Sequence, residues 1–310
     1  FPINSIRFVL NQVNAKPKEI DYIGCGAWKG INNEETLPIL TDDIVEITKK
    51  SLANQNVISK RINSSLKTDV IFKNKLITGL NKFGFPEDKL FFCDHHFSHA
   101  LVAFIPSQFK NSLVLVADGR GDFRSLSLWL GNKNKKQPLK FLAGSSELVS
   151  LGAMYGFITK ILGFIPDRHE GKVTGMSAKG KKSEIYYFLK KSLWFDKNSG
   201  KVCAKYGDYY KPFLSATLEE INKLLLRDNP ENFAYSVQKR LEEILIDFLK
   251  YHHSKLGLKK INLCLSGGCM ANVKLNFELS KLSFVKNIYI SPAMGDGGNA
   301  LGGALNILSN

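Results

Sequence analysis

Apolar residues at Ile3, Ile6, Leu10 and Val13 recur every three to four positions, which predicts an amphipathic helix over 3–14. The run at 21–28, Tyr22-Ile23-Gly24-Cys25 at its centre, predicts a buried strand. Residues 29–67 are polar and irregular, apart from a helical stretch near 42–53. Helical spacing returns over 69–83 and stops at Gly84, with Pro86 beyond. Residues 89–96 open as a strand, and the chain from His96 continues as a helix.

Three strand-like runs follow, at 112–119, 124–131 and 139–146. Their connections are short and carry Gly, Asp and Asn, which predicts an antiparallel meander. From 147 to 255 the pattern is mostly helical. It is clearest over 232–255, where Phe233, Val237, Leu241, Ile244, Leu245 and Phe248 share one face. The chain then alternates again: a strand and Gly-rich turn at 261–268, a helix over 269–280, a second such strand at 287–298, and a helix to 308. A meander leading into helices, then two strand–glycine loop–helix units, argues for an α/β fold of the RNase H-like type.

Composition narrows the class. The 310 residues are 44% hydrophobic and 23% charged, a globular balance that excludes disorder and collagen. No apolar run approaches the ~20 residues of a membrane helix. The start lacks the charged and apolar regions of a signal peptide. It begins with Phe1 rather than Met, and so reads as part of a longer polypeptide. Net charge is +15, which draws anionic partners such as nucleotides or phosphates. Of the basic residues 36 are Lys and 7 Arg, so the guanine-reading arginines of specific DNA binders are few and nucleic acid is not the expected partner. Cys25, Cys93, Cys203, Cys264 and Cys269 are odd in number and widely spaced, as free thiols of a cytoplasmic protein would be.

Five segments carry candidate chemistry. In Asp94-His95-His96-Phe97-Ser98-His99-Ala100, a helix beginning near His95 puts His95 and His99 one turn apart, so that two imidazoles can hold one metal ion. Asp118-Gly119 ends a buried strand and presents a carboxylate, although a hairpin turn would also explain the glycines. Ser266-Gly267-Gly268-Cys269 lies between a strand and a helix, where backbone N–H groups can approach a phosphate. Met294-Gly295-Asp296-Gly297-Gly298-Asn299 combines close backbone approach at Gly295 and Gly297 with a further carboxylate, or is a plain Gly-rich turn. Glu170-Gly171-Lys172 places a lysine where it can meet a phosphate, if it is not simply solvated.

Taken in order, these segments resemble the O-carbamoyltransferases of the nodulation and antibiotic-tailoring type. The matches are His95-His96-Phe97-Ser98-His99-Ala100, Asp118-Gly119, Ser150-Leu151-Gly152-Ala153-Met154-Tyr155, Gly163-Phe164 through Glu170-Gly171-Lys172 to Gly180, Gly267-Gly268 with Asn272, and Pro292 through Asp296. The opening Phe1-Pro2-Ile3-Asn4-Ser5-Ile6 also looks like the family's helix start. The resemblance implies the actin, sugar-kinase and heat-shock-ATPase fold: two RNase H-like halves around a cleft, the first incomplete at its N-terminus. Residues 1–110 would then be the remainder of the first half. Residues 111–310 would be the second, with a helical insertion at about 147–255.

The same resemblance implies a metal on His95, His99, Asp118 and Asp296, Fe2+ foremost and Mn2+ as the alternative. Gly267, Gly268 and Asn272 would line a nucleotide, with Gly295 and Gly297 at the backbone approach. The implied reaction moves a carbamoyl group from carbamoyl-adenylate, made from carbamoyl phosphate and ATP, to an acceptor hydroxyl. His96 by position and Lys172 by motif are its catalytic candidates, His96 as proton acceptor. Family members also carry an earlier strand hairpin and a C-terminal module that forms the carbamoyl-adenylate. A tRNA-modifying relative of the threonylcarbamoyl transferase and a non-catalytic nucleotide-binding relative stay open as alternatives. Acceptor contacts are expected in 29–67 and 181–230, in variable loops.

Overall fold

Leu113 through Ala117 are five consecutive apolar residues, and each is exposed by 2% or less. Such a run needs cover on both faces, and it forms the central strand of the molecule. In this computed structural model, which describes residues 2–31, 33–49, 52–206 and 219–309, that strand is β3 (Asn111–Gly121). Four strands join it: β4 (Arg124–Asn132), β5 (Leu139–Ser146), β8 (Ile261–Ser266) and β9 (Val285–Ile290), in the order β5-β4-β3-β8-β9. The meander β3-β4-β5 is antiparallel, whereas β8 and β9 run parallel to β3. This is the order of an RNase H-like half, and the fold is mixed α/β.

Alternation along β3 assigns its two faces. Leu113, Leu115 and Ala117 point into the larger core, with α5 (Leu151–Ile161) and α9 (Pro230–Leu256). Val114 and Val116 point into the smaller one, with α4 (His95–Phe104). The predicted face of α9 is buried throughout, from Phe233 to Phe248. The first part of the chain supplies α1 (Ile3–Gln12) and a parallel pair, β1 (Ile23–Cys25) and β2 (Leu90–Phe92). The last helix, α11 (Asn299–Ser309), packs on β1 and on α4. Its approach is backbone to backbone: a Cβ added to Gly24 would come within 2.2 Å of Gly303, and one on Gly302 within 2.5 Å of Ser98.

Three expectations are corrected. Residues 29–67 are not irregular: α2 covers Thr36–Thr48 and α3 covers Leu52–Phe83. The first half of α3 is rich in Asn and Ser, which lower helix propensity, and tertiary anchors hold it instead. Ile58 is buried, Asn54 donates to the Ile47 carbonyl at 3.1 Å, and Arg61 and Ser65 reach Glu147. Within the helical region, which includes α6 (Glu170–Met176), α7 (Glu184–Ser192) and α8 (Glu219–Leu225), lies a hairpin of β6 (Leu193–Asp196) and β7 (Lys201–Ala204). Gly200, at φ +72, closes its turn. Finally, the helix expected over 269–280 is a 3-10 turn, Gly268–Ala271, followed by α10 (Val273–Ser280), with Asn272 as N-cap. Phe1 and residues 207–218 of the expected acceptor region lie outside the described residues. No helix among the described residues is long and apolar enough to cross a membrane.

Candidate metal centre

The centre is built on the first turn of α4. Asp94 caps that helix, accepting from the Phe97 N–H at 2.8 Å. Asp122 accepts from the His95 N–H at 2.9 Å. Beneath them Arg124, wholly buried, pairs with Asp94, and Asn33 donates to the same carboxylate at 2.9 Å. The β3–β4 turn reaches this place with Asp122 and Phe123 both at positive φ, a strained conformation for side-chain-bearing residues. Gly121 makes the room. A Cβ there would lie 2.0 Å from the His95 ring.

His95 and His99, one turn apart, face the end of β3. Their Nε2 atoms are 3.1 Å apart. Asp118 Oδ2 is 3.1 Å from His95 Nε2 and 3.8 Å from His99 Nε2. Asp296 Oδ1 is 3.4 and 3.3 Å from the same atoms. All four ligand atoms lie within 4.8 Å of one another. Ligands around one first-row ion are about 3 Å apart, because each bond is about 2.0–2.2 Å. Two imidazoles and two carboxylates suit a divalent cation. Among the described residues Asp118 and Asp296 form ion pairs with these histidines and with no lysine or arginine. The residues therefore fit a metal ion.

The electrostatics agree. Burial opposes charge on His95, yet hydrogen bonds and charge from Asp118 and Asp296 outweigh it and push the imidazole up to about 10. Burial would raise Asp118 and Asp296, but His95 and His99 hold both below the ordinary carboxylate range. A field that binds a proton this firmly attracts any cation. Asp118 is fixed from its other oxygen by the Gly268 N–H at 3.2 Å. Gly267 turns the chain there at φ +94, where a Cβ would meet the Ala117 carbonyl at 2.2 Å.

A cleft of about 600 Å³ opens over Asp118 and Asp296. Its walls include Gly119, Gly152, Gly268, Asn272 and Gly295, then Tyr155, Thr174 and Leu241, with Asp167, Arg168 and Glu170 also lining it. Tyr155 donates to Gln238 at 3.0 Å and meets Thr174 at 2.8 Å. Asn272 donates to the same Gln238 oxygen at 2.7 Å. This network makes one polar wall.

Of the sequence candidates, His95, His99, Asp118 and Asp296 come together, and Gly268, Asn272 and Gly295 line the cleft. Gly267 packs beneath it. The Gly268 N–H faces Asp118 rather than open space. Gly297 and Lys172 are not among the lining residues; Lys172 is exposed, with its ammonium 5.6 Å from the centre of the Phe164 ring. His96 is wholly buried, its Nδ1 3.0 Å from Ser127 Oγ, and burial holds it well below the ordinary histidine value. It does not reach the cleft, so the role of proton acceptor by position has no geometry behind it. Sequence reasoning gave no role to Asp167, Arg168, Gln238 or Asn299, although Asn299 ends one of its candidate segments. Gln238 had a visible signal, a polar residue beside the apolar stripe of α9.

The chain is similar to several known proteins. The chain is 31% identical over 231 residues to the uncharacterized protein MJ1058 of Methanocaldococcus jannaschii, covering 68% of this chain and 36% of that one. It is 29% identical over 314 residues to the nodulation protein NolNO of Sinorhizobium fredii, covering 100% of this chain and 42% of that one. Among solved structures, HypF of T. kodakarensis superposes with a TM-score of 0.42 at 13% identity, over 76% of this chain and 38% of that one. The chain spans half or less of the length of each of these relatives. Residues 1–305 match the family described as carbamoyltransferase N-terminus, and the chain belongs to that family.

Proposed function

We propose that this chain holds the transfer cleft of an O-carbamoyltransferase, which moves a carbamoyl group from carbamoyl-adenylate to a hydroxyl of a small-molecule or sugar acceptor. The observation that supports it most is the convergence of two imidazoles and two carboxylates below a glycine-lined cleft. Held by His95, His99, Asp118 and Asp296, a divalent ion, Fe2+ or Mn2+, would supply Lewis-acid polarisation and a template for phosphate oxygen.

The chain's own residues do the rest. Gly119 and Gly295, where a Cβ would meet nothing within 4 Å, leave room for a nucleotide against the backbone. Arg168 offsets phosphate charge from the cleft wall. The acceptor oxygen attacks the carbamoyl carbon, the bond from that carbon to the phosphate oxygen breaks, and AMP leaves with the electron pair. The hydroxyl proton goes to a carboxylate. Asp167 suits this role: burial, then the charges of Glu170, Asp118 and Asp296, raise its proton affinity, and it lines the cleft. Carbamoyl phosphate and ATP would be consumed by a further module of the longer polypeptide.

Elemental analysis of anaerobically purified chain tests the reading. The expected result is about one Fe or Mn per chain, lost in both His99→Ala and Asp296→Ala. A folded wild type that binds no metal would overturn it.

A further inference from the structure

Asn299, the first residue of α11, stands behind the ligand cluster and is 6% exposed. Its Nδ2 is 3.4 Å from His95 Nδ1 and 3.2 Å from His99 Nε2. Its Oδ1 is buried and has no hydrogen-bond partner among the described residues. The residue cannot back away, because a Cβ on Gly26 would already lie 2.0 Å from the Asn299 carbonyl oxygen and 2.9 Å from its Cβ.

An imidazole that coordinates through Nε2 carries its proton on Nδ1, and that N–H needs an acceptor to fix the ring. For His99 the acceptor is Ser266 Oγ, at 3.3 Å. For His95 the group at hand is the Asn299 carboxamide. The two ends of a carboxamide have nearly the same shape, so a half-turn exchanges donor for acceptor without disturbing the packing. We propose that Asn299 is a positioning residue of the metal centre, whose amide oxygen accepts the His95 Nδ1–H and holds Nε2 toward the ion. The same half-turn puts Oδ1 against His95 and turns Nδ2 to the place Oδ1 leaves. This inference rests on the four-ligand reading above.

Mn2+ alone, titrated into the 310-residue chain and followed by the spin-resonance signal of free Mn2+, tests it. Asn299→Leu is expected to weaken binding by about 10–100-fold. Asn299→Asp, which keeps an acceptor, is expected to restore most of that loss. A folded Asn299→Leu variant that binds as tightly as wild type would overturn the proposal while leaving the ligand set intact. A wild type that takes up no Mn2+ would instead remove the ligand set, and the proposal with it. Should Asn299→Leu not fold, ring nitrogen NMR of the Zn2+-loaded wild type decides. A protonated His95 Nδ1 supports the proposal, and coordination through that atom overturns it.

Discussion

Asp118 and Arg120 sit two residues apart on β3, and each anchors a charge cluster of opposite character. Around Arg120 the charges close on themselves. Its Nη2 donates to both oxygens of Asp69 at 2.7 Å, and its Nε donates to Glu147 at 2.8 Å. Arg61 donates to the other Glu147 oxygen at 3.1 Å. Two carboxylates meet two guanidiniums, and α3 is tied to the sheet. Around Asp118, two carboxylates meet two imidazoles and no permanent cation. The first cluster is complete as it stands. The second is balanced by a proton on His95, and would take the proposed cation in its place. Counting fixed charge thus separates a structural cluster from a binding one, although burial alone does not.

The strongest way to break this contrast is to remove one ligand. Asp296→Ala should lower Mn2+ affinity by at least about 100-fold, read by titration, and should slightly lower the thermal stability of the ion-free chain, because Asp296 pairs with His95 and His99. The converse is Arg120→Met, which leaves buried Glu147 with one guanidinium fewer. It should cost about 3–5 kcal/mol in urea unfolding while the metal content stays at the wild-type level. Loss of metal in that variant would merge the two clusters into one.

A third test probes the closed side through pH. Asp43 of α2 accepts from the Ser146 N–H at 3.1 Å, and burial pushes its carboxyl up to about 6. A folded-state value above the unfolded one favours the protonated form. Stability from Asp43 is therefore complete below the unfolded pKa, falls as pH rises from about 4 to 6, and is flat above. The span is about 3 kcal/mol. Asp43→Asn should flatten the urea-unfolding profile over that window. The smallest effect is expected at the cleft wall. Arg168→Ala should weaken nucleotide binding about tenfold, or 1.4 kcal/mol, in calorimetry, with metal and stability unchanged.

Legibility in the sequence followed the range of the interactions. The central strand, the buried face of α9 and the His95–His99 pair were readable because each depends on neighbours a few positions away. The joining of Asp118 and Asp296 to that pair came from family resemblance. Spacing had nothing to offer across such distances. Asn299 lay in a candidate segment but drew no role, because its contacts are 204 and 200 positions away and its glycine-rich setting reads as a turn. The start of α3 went unseen because its order comes from Glu147, 86 positions from Arg61, rather than from its own propensity.

The seam between α11 and β1 has a kinematic meaning. A Cβ on Gly303 would approach Gly24 to 2.6 Å, so the two backbones share one joint with no slack. Asp296 and Asn299 stand at the near end of that helix. β1 and the candidate ligand Asp296 therefore share one linkage through α11. Were an ion held as proposed, a tilt of β1 would shift its ligands, and metal affinity would gauge how the early part of the chain is seated.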